Sequence, residues 1–488
     1  MATSLAMLTS MGTSIGAQQQ SAALDVVQTQ IGPLNFDLGV PTPETVNRLF
    51  DAMDFHRAAV CYEWAVPTVG MESARQMLVD NAGAHSGDLV LVAGYRDVSM
   101  MLGSNVTTPY VFAYFDLSGQ PLTIQYPPGA TAGSLVDWWD RPITDLGVTG
   151  PDAGKGAVFV LLGPDHATPE DLPSGARILR SRTQKVLMFC RGLDPDLKQV
   201  ELTFSATRVS PYGKGLAGAS TRLLRFKNRG RLTSMAHPEG IAYWQHLANA
   251  LRDEPIEDRD RFFAAMLKPL GIEANRVFAP DAKQRQILEK AAVVGQATMK
   301  AVAFNKRIEG MRYRQDSRWE YLIPPSFVNE QDVPGGTMFD ERTAFFFEVT
   351  GTSAAVLSKT PGVGAAYLAA YQDDGGAAYD GGRFYRLRVP ANVPAKMFWS
   401  ITLYDSDTRC LIQNTQGVVD RSSRHDLQKD LDGSIEIIMG PTAPRGPAQN
   451  WIPTTPGKSW YAYFRLFGPL EPYFERSWRL PDIEKAAS

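Results

Sequence analysis

The sequence predicts a mainly β protein with a helical insert, and three observations indicate this fold class. Short apolar runs separated by Gly, Pro and Asp fill two stretches of the chain, whereas the stretch between them shows helical spacing. Glycine and proline number 42 and 33 among 488 residues, which suits many short strands and turns. Hydrophobic residues make up 44% of the chain, enough for packed cores. We therefore expect two β sandwiches connected through a helical domain.

Residues 41–210 are predicted to form an N-terminal helix followed by the first sandwich. Apolar residues recur at helical spacing from Val46 to Val60, and Pro43 and Glu44 are typical of a first helical turn. Short apolar runs bounded by turn residues then predict antiparallel strands. These predicted strands are 111–115, 122–126, 157–162 and 185–190.

The rest of the folded chain is predicted as a linker, a helical domain and a second sandwich. Residues 211–237 are basic and rich in Gly, which indicates a linker, and residues 238–340 are mostly helical by their apolar spacing. Strands return in residues 341–488, where a sandwich or jelly roll is expected. The strands predicted there are 344–349, 384–389, 397–404, 434–438 and 460–467.

Residues 1–40 are predicted to be a leader. Its first 24 residues carry no charge, and the apolar stretch at 5–8 is short for the core of a signal peptide. A degenerate export signal and a leader on a cytosolic protein both stay open, with a periplasmic or secreted location favoured. No run in the sequence approaches the roughly 18 apolar residues of a membrane span.

Charge and cysteine usage exclude several function classes. Lys and Arg number 49 against 52 for Asp and Glu, so the net charge of −3 lacks the basic character of nucleic-acid binding. Cys61, Cys190 and Cys410 are too widely spaced for a zinc ribbon or a redox pair, and the six histidines form no zinc motif. The sequence Gly-Val-Gly at 362–364 lacks the third glycine of a dinucleotide site. We therefore predict neither a metal nor a cofactor.

Two segments concentrate polar and aromatic groups that could line a pocket. In the first, Asn105, Thr107 and Tyr110 lead into a strand on which Asp116 should share the face of Tyr110. Turn chemistry is the alternative interpretation, because Asn and Asp commonly satisfy loop backbone. Asn105 also begins a glycosylation sequon, which matters only in a eukaryotic secretory setting.

In the second segment, Ser400 and Tyr404 share a strand face, and Arg465 interrupts an apolar strand. A charge in such a strand is normally paired or faces a cleft, and a structural ion pair is the alternative here.

These segments resemble a paired bacterial family, the domains of unknown function numbered twelve fifty-four (N-terminal) and twelve fourteen (C-terminal). The stretches that carry the resemblance are YEWAVP at 62–67, NVTTPY at 105–110, YFDLS at 114–118, LGP at 162–164, FWSITLYD at 398–405, DGS at 432–434, NWIP at 450–453, RLFGP at 465–469 and SWRLP at 477–481. Together they extend over about residues 43–485. The resemblance implies an N-terminal immunoglobulin-like sandwich, a small helical domain and a C-terminal jelly roll. It implies frequent export and no agreed activity. The family tends to carry Asp where this chain has Thr107, so any catalytic role of that acid is lost here.

Two functions are compatible with these residues. The first is a metal-independent hydrolase or lyase on a small organic molecule, with its site between the β domains. The second is a non-catalytic ligand- or sugar-binding envelope protein, in which exposed aromatics would stack on a sugar. Whether any chemistry occurs, and whether the chain forms a homo-oligomer, stay open. The candidate catalytic residues are Tyr110, Asp116, Tyr404 and Arg465, and the candidate ligand-binding residues are Asn105, Thr107, Trp64, Ser400 and Trp451.

Overall fold

The computed structural model describes residues 26–227, 234–357 and 359–486 of the chain. The first 24 residues, and with them the predicted export signal, lie outside the described residues. The chain divides into two compact units, of which one ends at His56 and the other begins at Arg57.

Three short strands form a small antiparallel sheet in the first unit. They are β1 (Val26–Thr29), β2 (Gly32–Asp37) and β3 (Val40–Pro41). Helix α1 (Pro43–Trp64) begins after them, and the hydroxyl oxygen of Thr45 accepts a 2.8 Å hydrogen bond from the backbone N–H of Asn35. The predicted leader extends to residue 40, and β1 and β2 lie inside it. Backbone pairing holds these strands together, and their segment lacks the long apolar run from which a strand is predicted in a sequence.

Helix α2 (Val66–Ala82) is buried over most of its length. Pro67 lies in its first turn, where a missing backbone N–H leaves no hydrogen bond unmade. The helix ends at Gly83, whose φ of +63° is the left-handed conformation that closes many helices.

The first sandwich consists of two sheets. Its elements, in chain order, are β4 (Leu89–Val92), α3 (Tyr95–Val98), β5 (Tyr110–Asp116), β6 (Leu122–Tyr126), β7 (Thr131–Asp137), β8 (Pro142–Gly147), β9 (Ala157–Leu162), β10 (Arg177–Arg180), β11 (Lys185–Gly192), α4 (Leu197–Ser205), β12 (Arg208–Pro211) and β13 (Leu223–Arg225). The strand orders are β13-β4-β5-β11-β7-β8 and β10-β9-β6-β12. Apolar side chains from both sheets, including Phe115, Ile124, Phe159 and Met188, form one core. This arrangement confirms the predicted N-terminal sandwich.

Strand β13 comes from the segment that the sequence predicts to be a linker. It pairs in parallel with β4 and so forms the edge of the six-stranded sheet. The chain therefore returns to the first sandwich before it enters the helical region.

The helical region contains α5 (Ile241–Leu251), α6 (Arg261–Leu267), α7 (Ala282–Phe304) and α8 (Phe339–Phe346), with the two-residue strands β14 (Glu320–Tyr321), β15 (Asp332–Val333) and β16 (Gly336–Thr337) before α8. Asp281 and Gln284 cap α7 reciprocally, which fixes where that helix begins. The strand predicted at 344–349 is wrong, because α8 covers its first residues. Phe345, Phe346 and Phe347 are all buried, and a short run buried on every side fits either a strand or a helix.

The second sandwich is formed by the C-terminal part of the chain. Its elements are β17 (Ala365–Ala370), β18 (Tyr379–Asp380), β19 (Tyr385–Val389), β20 (Ala395–Asp405), β21 (Asp420–Ser422), β22 (Ile435–Gly440), β23 (Trp451–Pro453), β24 (Ser459–Pro469), α9 (Glu471–Phe474) and β25 (Glu484–Lys485). One sheet has the order β14-β17-β24-β20-β21, and the other has the order β23-β22-β19-β25. Leu387, Ile401, Ile437 and Phe464 belong to the core between them. The mainly β fold with a central helical region is thereby confirmed.

Within the described residues, no helix combines the length and the apolar character needed to cross a bilayer.

Candidate functional site

One face of the second sandwich carries polar side chains in rows that run across four neighbouring strands. Direct cross-strand partners share a face, and so do residues two apart on a strand. The first row, from β17 through β24 and β20 to β21, is Tyr367, Arg465, Ser400 and Ser422. The second row is Ala369, Tyr463, Thr402 and Asp420. The opposite face of the same strands carries apolar side chains, among them Leu368, Ile401 and Phe464, which belong to the hydrophobic core.

Arg465 is fully buried and joins this face to the first sandwich. Its guanidinium donates hydrogen bonds to the hydroxyl of Thr402 at 3.0 Å and to the backbone carbonyls of Gly103 at 2.8 Å and Ser104 at 3.4 Å. Within the described part of the chain it has no ion-pair partner, and its Nε has no hydrogen-bond acceptor. The structural ion pair considered from the sequence is therefore not formed.

Gly103 needs to be glycine at this junction. Its φ is +59°, and a Cβ built there would lie 2.9 Å from Cγ2 of Val349. A side chain would be strained in that backbone conformation and would push the neighbouring valine away. Gly103 thus packs closely against Val349, and its carbonyl oxygen accepts the hydrogen bond from Arg465.

Tyr404 makes a second bridge between the sandwiches. Its hydroxyl donates to the carbonyl of Ser104 and accepts from the Arg465 guanidinium. Burial raises the pKa of Tyr404 to about 12, although the neighbouring Arg465 opposes this increase. The phenol is consequently neutral at ordinary pH and acts as a hydrogen-bond donor.

Asn105, in the loop before β5, contacts Tyr110, which is the first residue of that strand. The backbone N–H and the side-chain amide of Asn105 donate to the Tyr110 hydroxyl at 3.1 and 2.9 Å. The amide oxygen of Asn105 accepts from the backbone N–H of Thr107 at 2.9 Å. Asn105 therefore satisfies loop backbone, as the turn interpretation expected, and its amide also orients Tyr110. The Thr107 hydroxyl donates to the buried carboxyl of Asp420 at 3.3 Å.

A second arginine, Arg191 at the end of β11, lies beside these tyrosines. Its guanidinium carbon is 5.4 Å from the ring centroid of Tyr110 and 6.0 Å from that of Phe467. The carbon of Arg465 is similarly 5.7 Å from the ring centroid of Tyr367. Among the described residues, no carboxylate forms an ion pair with Arg191. Two permanently charged groups therefore share one aromatic surrounding with no carboxylate in ion-pair contact among the described residues, and the buried carboxyl of Asp420 interacts with Arg465 only at longer range.

Both arginines line a small cavity of about 60 Å³, which we call the inner cavity. Tyr110 and Tyr367 also line it, together with Gly103 and apolar side chains from both sandwiches. It is about a fifth as large as the outer pocket described next, so it can hold only a compact group.

A larger pocket of about 310 Å³, the outer pocket, adjoins the inner cavity. Ile323, Val356 and Tyr367 line both. Most of its wall is aromatic or aliphatic, and its only charged lining residues among those described are the exposed Lys359 and Arg476. Every charged side chain described along the two spaces is therefore cationic.

Residues 349–357, the wall loop, contribute lining residues to both spaces and are held by carboxylates of the first sandwich. Asp140 accepts the backbone N–H groups of Gly351 at 2.7 Å and Thr352 at 3.0 Å. Asp145 accepts those of Ala354 at 3.0 Å and Ala355 at 2.8 Å. The first sandwich thereby fixes the wall of a pocket whose other side belongs to the second sandwich.

Three candidate residues lie outside this cluster. Asp116 is exposed at the far end of β5, where it accepts from the backbone N–H and the hydroxyl of Ser118. Trp64 is buried and donates its indole N–H to Asp260 at 2.8 Å. Trp451 donates to the carbonyl of Gly440 at 2.9 Å. Of the other candidates, Ser400 is buried on the polar face, whereas Tyr110, Tyr404, Arg465, Asn105 and Thr107 come together as described above.

The sequence patterns did not identify Arg191, Tyr367 or Asp420 as site residues. Arg191 is, like Arg465, a charge attached to an apolar strand, but the predicted strand ended at residue 190. Asp420 gives no pattern of its own, because its position depends on pairing with β20.

The described residues contain no group of three or more His, Cys, Asp or Glu side chains suited to a metal ion. The three cysteines are free and buried, as small hydrophobic side chains would be. Burial raises the pKa of Cys61 and Cys190 to about 12 and that of Cys410 to about 11, so their thiols are protonated at ordinary pH.

Two family models match the chain. Residues 90–211 match the family described as a protein of unknown function (DUF1254), and residues 364–471 match another with the same description (DUF1214). No protein of the curated set is a significant match.

Two solved structures align with most of this chain, and the first of them is similar to it in fold. The crystal structure of the VPA0106 protein from Vibrio parahaemolyticus is 16% identical, covers 88% of this chain and 100% of its own, and has a TM-score of 0.53. An uncharacterized protein from Burkholderia cenocepacia is 11% identical, covers 90% of this chain and 95% of its own, and has a TM-score of 0.40.

Proposed function

We propose that this chain, whose residues 90–211 match the DUF1254 model and whose residues 364–471 match the DUF1214 model, binds a small organic anion where these two regions meet. The observation that carries the proposal is the pair Arg191 and Arg465, which line one cavity without a carboxylate partner among the described residues. Burying an uncompensated charge costs several kcal/mol, and a ligand carboxylate would remove part of that cost. Guanidinium groups also match the planar geometry of a carboxylate.

Catalysis at the same site is the second candidate, as a metal-independent hydrolase or lyase. It is favoured by Asp420, which lies on the polar face with Arg465 and whose pKa is raised by burial. A raised pKa makes a carboxyl group a better proton donor, and a guanidinium can stabilise negative charge that develops on an oxygen. Asp420 then replaces Asp116 as the candidate catalytic carboxyl group.

Sugar binding by exposed aromatics is less well supported. Trp138 and Trp139, which a sugar site of this kind could use if they were exposed, are 0% and 3% exposed. Trp64 and Trp451 are also buried. An indole enclosed in the protein offers no free face to a sugar ring, so we retain non-catalytic binding only for a small anion.

The test is thermal unfolding with sodium acetate and sodium propionate at constant ionic strength. Ligand at 100 times its Kd stabilises a folded protein by about 2.7 kcal/mol, so Tm should rise in the wild type. Arg191→Gln should abolish the rise. Arg424→Gln, which removes an exposed guanidinium lying over Phe398, should preserve it and serves as the matched control. An equal response in all three proteins, or none in the wild type, would contradict the proposal.

Mass spectrometry of bound carboxylates then separates binding from turnover. Conversion by the wild type that is lost in Asp420→Asn, while binding is kept, would support the enzyme. A ligand that is recovered intact from every protein would support binding without chemistry.

A further inference from the structure

We propose that the ligand is a carboxylic acid with an elongated apolar body, whose carboxylate enters the inner cavity and whose body fills the outer pocket. This inference rests on the proposed function, because it assumes that the two arginines hold an anionic group. It adds the chemical class of the ligand and its orientation.

The size of the inner cavity defines the head group. A space of about 60 Å³, about a fifth of the outer pocket, takes only a compact head group. A carboxylate is compact, and its two oxygens can each accept from a guanidinium. Nε of Arg465, which has no acceptor in the described structure, is one donor left free for such a group.

The outer pocket defines the rest of the molecule. Its volume is about five times larger, at about 310 Å³, and aromatic residues such as Tyr321, Phe327 and Tyr473 form its wall. Ile323 and Tyr367 line both spaces, so the two are adjacent, and we place one molecule across them. Burying apolar surface against such walls is favourable, whereas burying further polar groups without partners is not.

The charges determine the orientation. Lys359 and Arg476 are exposed beside the outer pocket and keep their hydration, so they gain little from an anion. Arg465 is buried and gains most, which places the carboxylate at the inner end. The two exposed cations instead favour the approach of an anionic ligand over a neutral one.

Calorimetric titration of the full chain with acetate, butanoate, hexanoate and octanoate tests the proposal. Affinity should increase by about fourfold for each added methylene that becomes buried, at roughly 0.8 kcal/mol each. Octan-1-ol, which has a similar apolar body and no charge, should bind at least tenfold more weakly than octanoate.

Two variants in the outer pocket show where the body lies. Ala365→Leu reduces the volume of the pocket, and Leu357→Asn makes its wall polar; both replace half-buried residues. Each should weaken octanoate binding about tenfold or more and leave acetate binding unchanged, so acetate is the internal control for folding.

The outcomes distinguish this inference from the proposed function. Acetate binding that depends on Arg191, with no gain from a longer chain, would overturn the apolar body and leave the function intact. Failure of every carboxylate to bind would overturn both. Octanoate binding that Arg191→Gln does not weaken would overturn the placement of the head group.

Discussion

The guanidinium of Arg465 donates a 2.8 Å hydrogen bond to the carbonyl oxygen of Gly103, a residue 362 positions earlier in the chain. The same side chain contacts the carbonyl of Ser104, to which Tyr404 also donates. A buried guanidinium needs acceptors, and here the first sandwich supplies them as backbone. The charge that we assign to ligand binding is therefore also a connection between the two sandwiches.

Replacing Arg465 by Met should lower the free energy of unfolding by about 2–4 kcal/mol, because the carbonyls of Gly103 and Ser104 would lose their buried donor. Urea unfolding measures this loss. Arg424→Met, which removes an exposed guanidinium, should cost less than about 1 kcal/mol. Equal losses in the two variants would mean that the Arg465 contacts contribute nothing to stability.

Glu348 is fully buried and accepts hydrogen bonds from the hydroxyls of Tyr371 at 2.8 Å and Tyr463 at 2.5 Å. Burial raises the pKa of this carboxyl. Glu348→Leu should destabilise the protein by about 2–4 kcal/mol, because two phenols would lose their acceptor. Glu348→Gln keeps an acceptor oxygen and should cost less than half as much in the same chemical denaturation experiment. A glutamine variant as unstable as the leucine variant would contradict this explanation.

Asp145→Ala should loosen the wall loop. The carboxylate accepts the backbone N–H groups of Ala354 and Ala355, and its loss should increase the exchange rates of those two amides about tenfold. Hydrogen exchange followed by mass spectrometry measures the change. Asp116→Ala removes an exposed carboxylate remote from the loop and should leave the same amides as protected as in the wild type. Unchanged exchange in Asp145→Ala would show that the loop is held by other contacts.

His237 should make the protein less stable in acid. Burial, reinforced by the charge of Arg409, lowers the pKa of its imidazole from 6.5 to about 3. The unfolded chain therefore binds a proton on this residue at a pH where the folded chain does not. The contribution of this neutral imidazole to the free energy of unfolding is therefore fully present above about pH 6.5, and it is lost as the pH falls toward 3.

The free energy of unfolding, measured at several pH values between 4 and 7, tests this expectation. His237→Gln can still donate to the carbonyl of Val66, the partner at 2.9 Å, but does not titrate, so its profile should be flatter. His85→Gln, at an exposed histidine, controls for the loss of one imidazole. Equal slopes for the wild type and His237→Gln would refute the assignment.

The sequence predicted the polar face of the second sandwich because its signal is local. Ser400 and Tyr404 alternate along one strand, and Arg465 interrupts an apolar run, so both patterns are visible without knowing the pairing. The partners of Arg465 were not predictable in this way, since backbone carbonyls of residues 103 and 104 carry no sequence signature.

Asp116 shows the limit of the alternation argument. It does alternate in phase with Tyr110 on β5, as expected. Six residues of strand nevertheless extend about 20 Å, so the two side chains lie at opposite ends. Tyr110 is buried against the second sandwich, whereas Asp116 is exposed. A shared face predicts direction but not proximity.

Strand β13 affects how the first domain can be produced separately. The DUF1254 match ends at residue 211, whereas β13 lies at Leu223–Arg225 and covers the outer edge of β4. A fragment that stops at 211 would expose the N–H and C=O groups along that edge, and an apolar strand with a free edge recruits other chains into aggregates. Extending the fragment to residue 227 keeps the edge paired, and the gain in soluble yield would measure how much protection three residues give.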